Sequence, residues 1–317
     1  MKNRIEAFKR MVLLRIAEEE IAKLFLRDKI MSFVHFYVGQ EAVAVGVSNA
    51  LNPNDRALGN HRSHGHYLAK GGNLRRMICE ILGKAEGFAG GKGGSMHMIA
   101  REEGFTGSTP ILGSITSIAA GSAFAQKQAQ SPDVTVAYIG DGASEEGGFY
   151  ETLNLAALFK LPLLIIVENN LYAVNSKLDD RRSVNYKAGD IIRGFGVAYA
   201  NADGNDFDDV FDKAKELLVN VRQGHPAVLE CVVYRHMAHS APIFDDAQGY
   251  RDVDIFEKRL EQDCLKRLKE RLMTEGVNEE SLSEVIAETR AFVTTEIEYA
   301  LSAPFPDPKE LHKDLYA

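Results

Sequence analysis

GDGASEEGGFYETLNLAALFKLPLLIIVENN, residues 140–170, is the stretch whose reading decides the fold. A short β-rich run at 134–139 leads into it. Asp141 follows between two glycines, residues 151–159 read as a helix, and 163–167 form an apolar strand that ends at Glu168-Asn169-Asn170. Between Gly142 and Asn169 lie 26 residues, 143 to 168, which suits one crossover helix and one return strand. A strand, a helix and a second strand in that order imply parallel strands. The carboxyl ends of the two strands then bring Asp141 and Asn170 together.

Those residue types suit magnesium. Mg²⁺ takes oxygen ligands in an octahedron and keeps few protein ligands where phosphates supply the rest. One carboxylate, one amide oxygen and one backbone carbonyl meet that demand. Gly140 and Gly142 let the backbone approach a diphosphate closely, and the helix that follows offers its N-terminal dipole. Taken singly, Gly-Asp-Gly reads as a strand-end turn and Asn-Asn as a capping pair, because short motifs match by chance often. Both together at this interval favour the ligand site.

The pattern extends outward. Residues 197–200 and 227–234 read as further strands and 207–221 as a helix. In such a sheet ligands bind at the carboxyl ends of strands. Residues 140–142, 169–170 and 235–239 all fall there. Residues 4–26 carry apolar side chains at helical spacing, Asn52 to Asp55 read as a turn, and 73–83 as a helix. Residues 87–95 (GFAGGKGGS) read as an ordered loop, 250–301 as one or two amphipathic helices, and the proline-bearing tail from 303 as extended. The chain is read as a single α/β domain over 1–317, a mostly parallel sheet flanked by helices. It has an N-terminal helical part (1–59), an α/β core (60–249) and C-terminal helices with a tail (250–317).

A net charge of −8 and a pI near 5.7 argue against nucleic acid or an anionic membrane as the main partner. A small anionic ligand remains compatible. Three widely spaced cysteines give neither a disulfide framework nor a CxxC metal signature, and fit a reducing cytoplasm. The N-terminus has no signal-peptide core, and no apolar run reaches membrane-spanning length. GxGxxG is absent, since Gly147 falls too far along, and the loop at Gly91-Lys92-Gly93 lacks both the leading glycine and the Ser/Thr of a P-loop.

The 140–170 stretch resembles the thiamine-diphosphate motif shared by thiamine enzymes. More narrowly, FYETLNLAALFKLPLLIIVENNLYAV resembles the alpha subunits of pyruvate, branched-chain 2-oxo acid and acetoin dehydrogenases. FYVGQEAVAVGV (36–47), GGKGGSMHM (90–98), YRHMAHS (234–240) and SAPFPDP in the tail look like further stretches of those subunits, in the same order. The resemblance implies a thiamine-diphosphate-binding fold, with Gly140, Asp141, Gly142 and Ala143 at the diphosphate. It implies Mg²⁺ held by the Asp141 and Asn170 side chains and the Tyr172 carbonyl.

The same resemblance places Asn60-His61-Arg62 on the diphosphate. Arg62 is a natural phosphate ligand, because its planar fork pairs two oxygens at once. His61 stands where pyruvate-type members carry tyrosine, as in acetoin-type members. His64 corresponds to a histidine near the reacting centre, a candidate for proton transfer. A zinc site is the competing reading of His61, His64 and His66, although no carboxylate or thiolate completes a tetrahedron in what reads as a loop. For His66 a lone surface histidine is the bland alternative. Leu112, with Ile111 and Gly113 beside it, corresponds to the bulky residue that bends the cofactor; an ordinary core leucine is the alternative. Pro110 replaces a glycine. Arg235 and His239 are implied at the diphosphate and the entrance, with His239 also a catalytic candidate, against a plain surface loop with a salt bridge. Ala238 departs from the usual residue, Asp245, Asp246 and Arg251 continue the loop, and Glu145 and Glu146 put two acids beside the site. Ala173-Val174-Asn175-Ser176 replaces a more usual glycine-containing loop.

By this resemblance the cofactor does the chemistry while the protein binds, bends and shields it. The implied activity cleaves acetoin or decarboxylates a pyruvate-like 2-oxo acid and passes the acyl unit to a lipoyl group on an acyltransferase. The activating glutamate belongs to a beta subunit, so an α2β2 assembly is implied. A transketolase-like carboligase and an inactive scaffold are the alternatives; intact Asp141, Asn170 and Arg62 speak against the scaffold.

Overall fold

In a computed structural model, residues 3–243, 249–251, 257 and 260–313 are described. Asp245 and Asp246 lie outside them. Six parallel strands form the central sheet: β1 (Arg56–Gly59), β2 (Phe105–Ser108), β3 (Thr135–Gly140), β4 (Leu163–Asn169), β7 (Ala198–Asp203) and β8 (Ala227–Val232), in the order β2-β1-β3-β4-β8-β7. A small antiparallel ladder, β5 (Tyr172–Ala173) with β6 (Ser176–Lys177), stands apart.

The central strands are buried on both faces, as parallel strands covered by helices must be. Every residue of β4 is buried. Alternate residues feed two separate cores. Val136, Tyr138, Leu164 and Ile166 point to one side. There they meet α1 (Arg4–Leu26), α2 (Glu41–Ala50), α4 (Leu74–Ile81), α9 (Phe207–Val221), α10 (Cys264–Thr274) and α11 (Glu279–Ser302). Ala137, Ile139, Ile165 and Val167 point to the other, against α5 (Ser114–Gln128) and α6 (Gly147–Leu158). Helix starts are capped where the chain supplies a short polar residue: Asn3 accepts from the Glu6 amide and Asp206 from the Asp208 and Asp209 amides.

The expected strands and helices at 134–139, 151–159, 163–167, 197–200, 207–221 and 227–234 are present, with ends shifted by a few residues. The expected helix at 4–26 is α1 to the residue, and the turn at 52–55 closes with an Asp55 amide to Asn52 carbonyl bond of 3.1 Å.

Four readings are corrected. First, 1–59 is not only helical, because β1 lies within it as an inner strand paired to β2 and β3. Four residues are too few to carry a periodicity. Second, His64–Ala69 is a helix (α3), not loop. Third, the tail contains a 3-10 turn at Pro308–His312, with Pro308 in its first turn, where a missing N–H is harmless. Fourth, the chain between Asn170 and β7 holds α7 (Leu178–Arg181) and α8 (Ala188–Gly194), for which no element was expected.

The chain leaves β1 towards β2 on one side and leaves β3 towards β4 on the other. The switch point of the sheet therefore lies between the carboxyl ends of β1 and β3, which is where open parallel sheets form a binding crevice. Residues 60–62 and 141–143 sit there.

Candidate active site

A cavity of about 310 Å³ opens at the switch point. Its wall includes His61 and Arg62 after β1, Asp141, Gly142 and Ala143 after β3, and Asn170 and Tyr172 after β4. Leu112, Arg235 and His239 complete that part of it. The parallel register sets the floor: Gly140 pairs with Glu168, so Asp141 and Asn170 leave neighbouring strands almost level. Gly140 faces open space, with nothing within 4 Å of the position a Cβ would take.

Asp141 is only 1% exposed, yet its carboxylate is an ion-pair partner of Arg181. Burial raises its pKa, and Arg181 and then Arg182 oppose that rise without cancelling it. Arg181 also reaches Glu145 at 2.5 Å, and Arg182 reaches Glu145 at 2.7 Å and the Asp141 carbonyl at 3.3 Å. Glu145 is thereby neutralised; the acids beside the site are half answered by two arginines that the motif reading did not single out. The two asparagines divide their work. Asn169 donates to Glu230 at 2.6 Å and accepts from the Leu171 amide at 3.0 Å, so it is structural. Asn170 lines the cavity and accepts from the Tyr172 amide at 3.3 Å, closing a tight turn.

The same cavity is also lined by basic residues. The Arg62 guanidinium donates to the Phe36 carbonyl at 2.6 Å and the His239 carbonyl at 3.2 Å. Arg235 is fully buried and donates to the Tyr250 hydroxyl at 2.6 Å. Arg251 stacks 4.4 Å over the Tyr172 ring. Burial, then Arg62 and Arg235, push His239 down to about 3. Burial and Arg62 also hold His61 well below its usual value.

Two expected residues are placed elsewhere. His64 is fully buried, with Nδ1 2.7 Å from Glu18 and Nε2 2.8 Å from Ser95. Both ring nitrogens serve the interior, so the arrangement does not fit a proton-transfer role at the cavity. Ile111 is 71% exposed and off the cavity wall. Gly113 touches the site through sterics: a Cβ there would lie 1.9 Å from a Glu146 carboxylate oxygen. His61, His64 and His66 do not converge, since His66 turns to Glu168 at 3.0 Å, and the zinc reading of that spacing fails on geometry. His66 is buried, not a surface histidine.

The motif reading missed Glu168, whose carboxylate accepts from Tyr37 and meets His66 while lining the cavity. It also missed Gln40, a buried cavity residue whose Nε2 has no hydrogen-bond partner. Both lie inside quoted stretches, but nothing in their spacing sets them apart. Val174, in the loop that stands in place of a more usual glycine-containing one, adopts φ 55°, and Leu171 φ 69°. Such left-handed backbone is unfavourable for these side chains and gathers at functional sites.

The donor set fits a cation-bearing diphosphate. Asp141 and Asn170 offer oxygens, Arg62 and Arg235 offer positive charge, and Gln40 Nε2 and the ring nitrogens of His61 are buried without partners. Fold and site together define an α/β protein with a cavity at a sheet switch point whose lining combines carboxylate and amide oxygens with arginines. The family model for the dehydrogenase E1 component matches residues 9–309. The chain is similar to the pyruvate dehydrogenase E1 component subunit alpha of Rhizobium meliloti, 38% identical over 98% of this chain and 89% of that one. Two acetoin:2,6-dichlorophenolindophenol oxidoreductase alpha subunits are also similar. That of Cupriavidus necator is 37% identical over 98% of this chain and 93% of its own; that of Bacillus subtilis is 34% identical over 98% and 92%. The chain belongs to the dehydrogenase E1 component family, whose members depend on thiamine diphosphate.

Proposed function

We propose that this chain is the alpha subunit of a dehydrogenase that binds thiamine diphosphate with Mg²⁺ and acts on acetoin or a pyruvate-like 2-oxo acid. The observation that carries the reading is that Asp141, Asn170 and Tyr172 line the same switch-point cavity as Arg62 and Arg235. Mg²⁺ would be held by Asp141, Asn170 and the Tyr172 carbonyl. Arg181, which bonds one oxygen of the Asp141 carboxylate, would then share that carboxylate with the ion or yield it.

When bound, thiamine diphosphate supplies a carbon nucleophile that breaks the bond next to the substrate carbonyl. The chain's own residues bind, orient and shield. Arg62 and Arg235 would hold the anionic end, Gly140 and Gly142 would allow close backbone approach, and Leu112 would supply an apolar surface to the rest of the cofactor. His239 is the candidate for proton transfer at the entrance; burial and the neighbouring arginines lower its pKa to about 3, so that role requires an anionic group bound beside it to raise its basicity. Leu112, His61 and His239 are the residues to alter in testing those roles.

Activation falls to a beta subunit, in an α2β2 assembly that hands the acyl unit to a lipoyl acyltransferase in the cytoplasm. The relatives' designation as alpha subunits supports the partner. Three buried, free cysteines support a reducing compartment, and among the described residues no helix is long and apolar enough to cross a membrane. His61 tilts the substrate towards acetoin. The test is co-expression with a beta-type partner and dye reduction with acetoin, pyruvate and branched 2-oxo acids. Turnover of one of them is expected. Tight cofactor binding without any turnover would favour the carboligase alternative.

A further inference from the structure

The outer side of α5 and α6 is as apolar as the inner side. Inward, Ala119, Ala123, Phe149 and Leu153 fill the core against the sheet. Outward, Ile118 on α5 is 51% exposed and Leu158 on α6 is 70% exposed, with Phe124, Leu155 and Phe159 exposed beside them. The two helices pack side by side, with the Ser117 and Thr152 hydroxyl oxygens 3.5 Å apart and the Phe124 and Phe159 rings edge to face at 5.7 Å. Their outward side chains therefore share one surface. Residues 114–126 contain no charged side chain, and α6 carries only Glu151. Single exposed apolar residues are ordinary, but a contiguous and almost uncharged patch marks a surface that another body covers.

Gly121 points the same way. It sits in the interior of α5, where glycine is less favourable than alanine. Nothing in the described chain calls for it. Its φ is not positive, and no atom lies within 4 Å of the place a Cβ would take. An exposed helix glycine of this kind lets a second backbone approach closely.

Both helices begin at the cavity. Leu112, just before α5, and Glu146, just before α6, line it, and Ile111 beside Leu112 is exposed. A chain seated on the patch therefore reaches the mouth of the cavity. We propose that this face of α5 and α6 is the docking surface for the beta subunit, with Ile118, Gly121 and Leu158 at its centre. The inference rests on the functional reading above, in which another chain delivers the activating glutamate to this cavity. A face so poor in charge is the kind that permanent partners share.

The test co-expresses the chain with a tagged beta-type partner and follows assembly by analytical ultracentrifugation over a dilution series. Leu158→Glu and Ile118→Glu should each weaken assembly by about 10-fold or more, the effect of disrupting a central interface residue. Gly121→Leu should do the same while the isolated chain stays folded, because leucine is the better helix former and meets open space in this chain. Val219→Glu, on exposed α9 surface at the other side of the sheet, should leave assembly unchanged. Circular dichroism of each full-length variant checks its fold. Full assembly in both Leu158→Glu and Gly121→Leu overturns the proposal, as does an equal loss in Val219→Glu. A wild-type chain that ignores the partner overturns it too. So does a self-dimer of the chain broken by Leu158→Glu, which would assign the face to a second copy. Assembly is read without thiamine diphosphate, so a failure here is distinguishable from failure of the functional reading.

Discussion

The floor of the cavity and its flank are built on different principles. The floor, residues 140–143 and 168–170, is the end of two strands whose pairing runs without a break from Thr135–Leu163 to Gly140–Glu168. The position of Asp141 relative to Asn170 follows from that register alone. The flank, residues 171–194, is a two-residue ladder, a four-residue helix and a seven-residue helix, with Leu171 and Val174 in left-handed backbone. Its α7 end is held by ion pairs from Arg181 and Arg182 to Asp141 and Glu145, while α8 is anchored by Ile192 in the apolar core. A floor fixed by hydrogen-bonded strands holds ligands in place. A flank tied down by charge is free to exchange its partners when a cation arrives.

The comparison breaks most visibly at Asp141. Asp141→Ala removes the proposed Mg²⁺ ligand and leaves Arg181 without its buried partner. Mg²⁺-dependent binding of thiamine diphosphate should weaken by about 100-fold or more, beyond the 10–100-fold typical of losing a supporting group. Activity retained in the reconstituted enzyme would remove Asp141 from the metal site. Arg181→Met tests the flank with the opposite sign. Relieved of a competing cation, Asp141 should bind Mg²⁺ about three- to tenfold more tightly, the factor expected of a half-buried ion pair worth about 1 kcal/mol. Weaker Mg²⁺ binding in calorimetry would mean that Arg181 serves the cofactor directly.

Acid should weaken the basic side of the cavity. His35, His61, His236 and His239 all have lowered pKa values in the fold, chiefly through burial. Below about pH 6.5 the unfolded chain binds more protons at these positions than the folded chain, so stability falls as pH drops through that value. Thermal unfolding of the cofactor-free protein should come at lower temperature at pH 5 than at pH 7.5, and His35→Gln should reduce the difference. An unchanged difference in that variant would show that carboxylates, not the histidines, set it. The smallest effect is Val174→Gly. Relief of a left-handed β-branched residue, about 1–2 kcal/mol, is partly offset by glycine's chain entropy of about 0.5–1 kcal/mol. A gain of about 1 kcal/mol or less in denaturant unfolding is expected, and destabilisation would show that the valine side chain supplies packing that outweighs its backbone.

The same contrast explains what could be read from the sequence. Parallel strands buried on both faces appear as continuous apolar runs, and a crossover has a minimum length, so 134–170 was legible down to the meeting of Asp141 and Asn170. β1 was not, because four residues carry no period. His64 was misplaced because a motif gives order along the chain but not which side chains turn inward; Glu18, far away on α1, claims its ring. Arg181 and Arg182 gave no signal, since an arginine pair in a polar stretch is usually a solvated surface. His35 gave no signal, because it stands alone ahead of α2, whereas His61 and His239 carried their motifs; the tempting spacing at 61, 64 and 66 sends its rings in different directions.

The most direct test of the central claim is a calorimetric titration of thiamine diphosphate into the chain purified with its beta-type partner, with and without Mg²⁺. The account predicts saturable binding of one cofactor per alpha chain that requires Mg²⁺ and disappears in Asp141→Ala. Absence of binding with the partner present, or binding indifferent to both Mg²⁺ and Asp141, would contradict it.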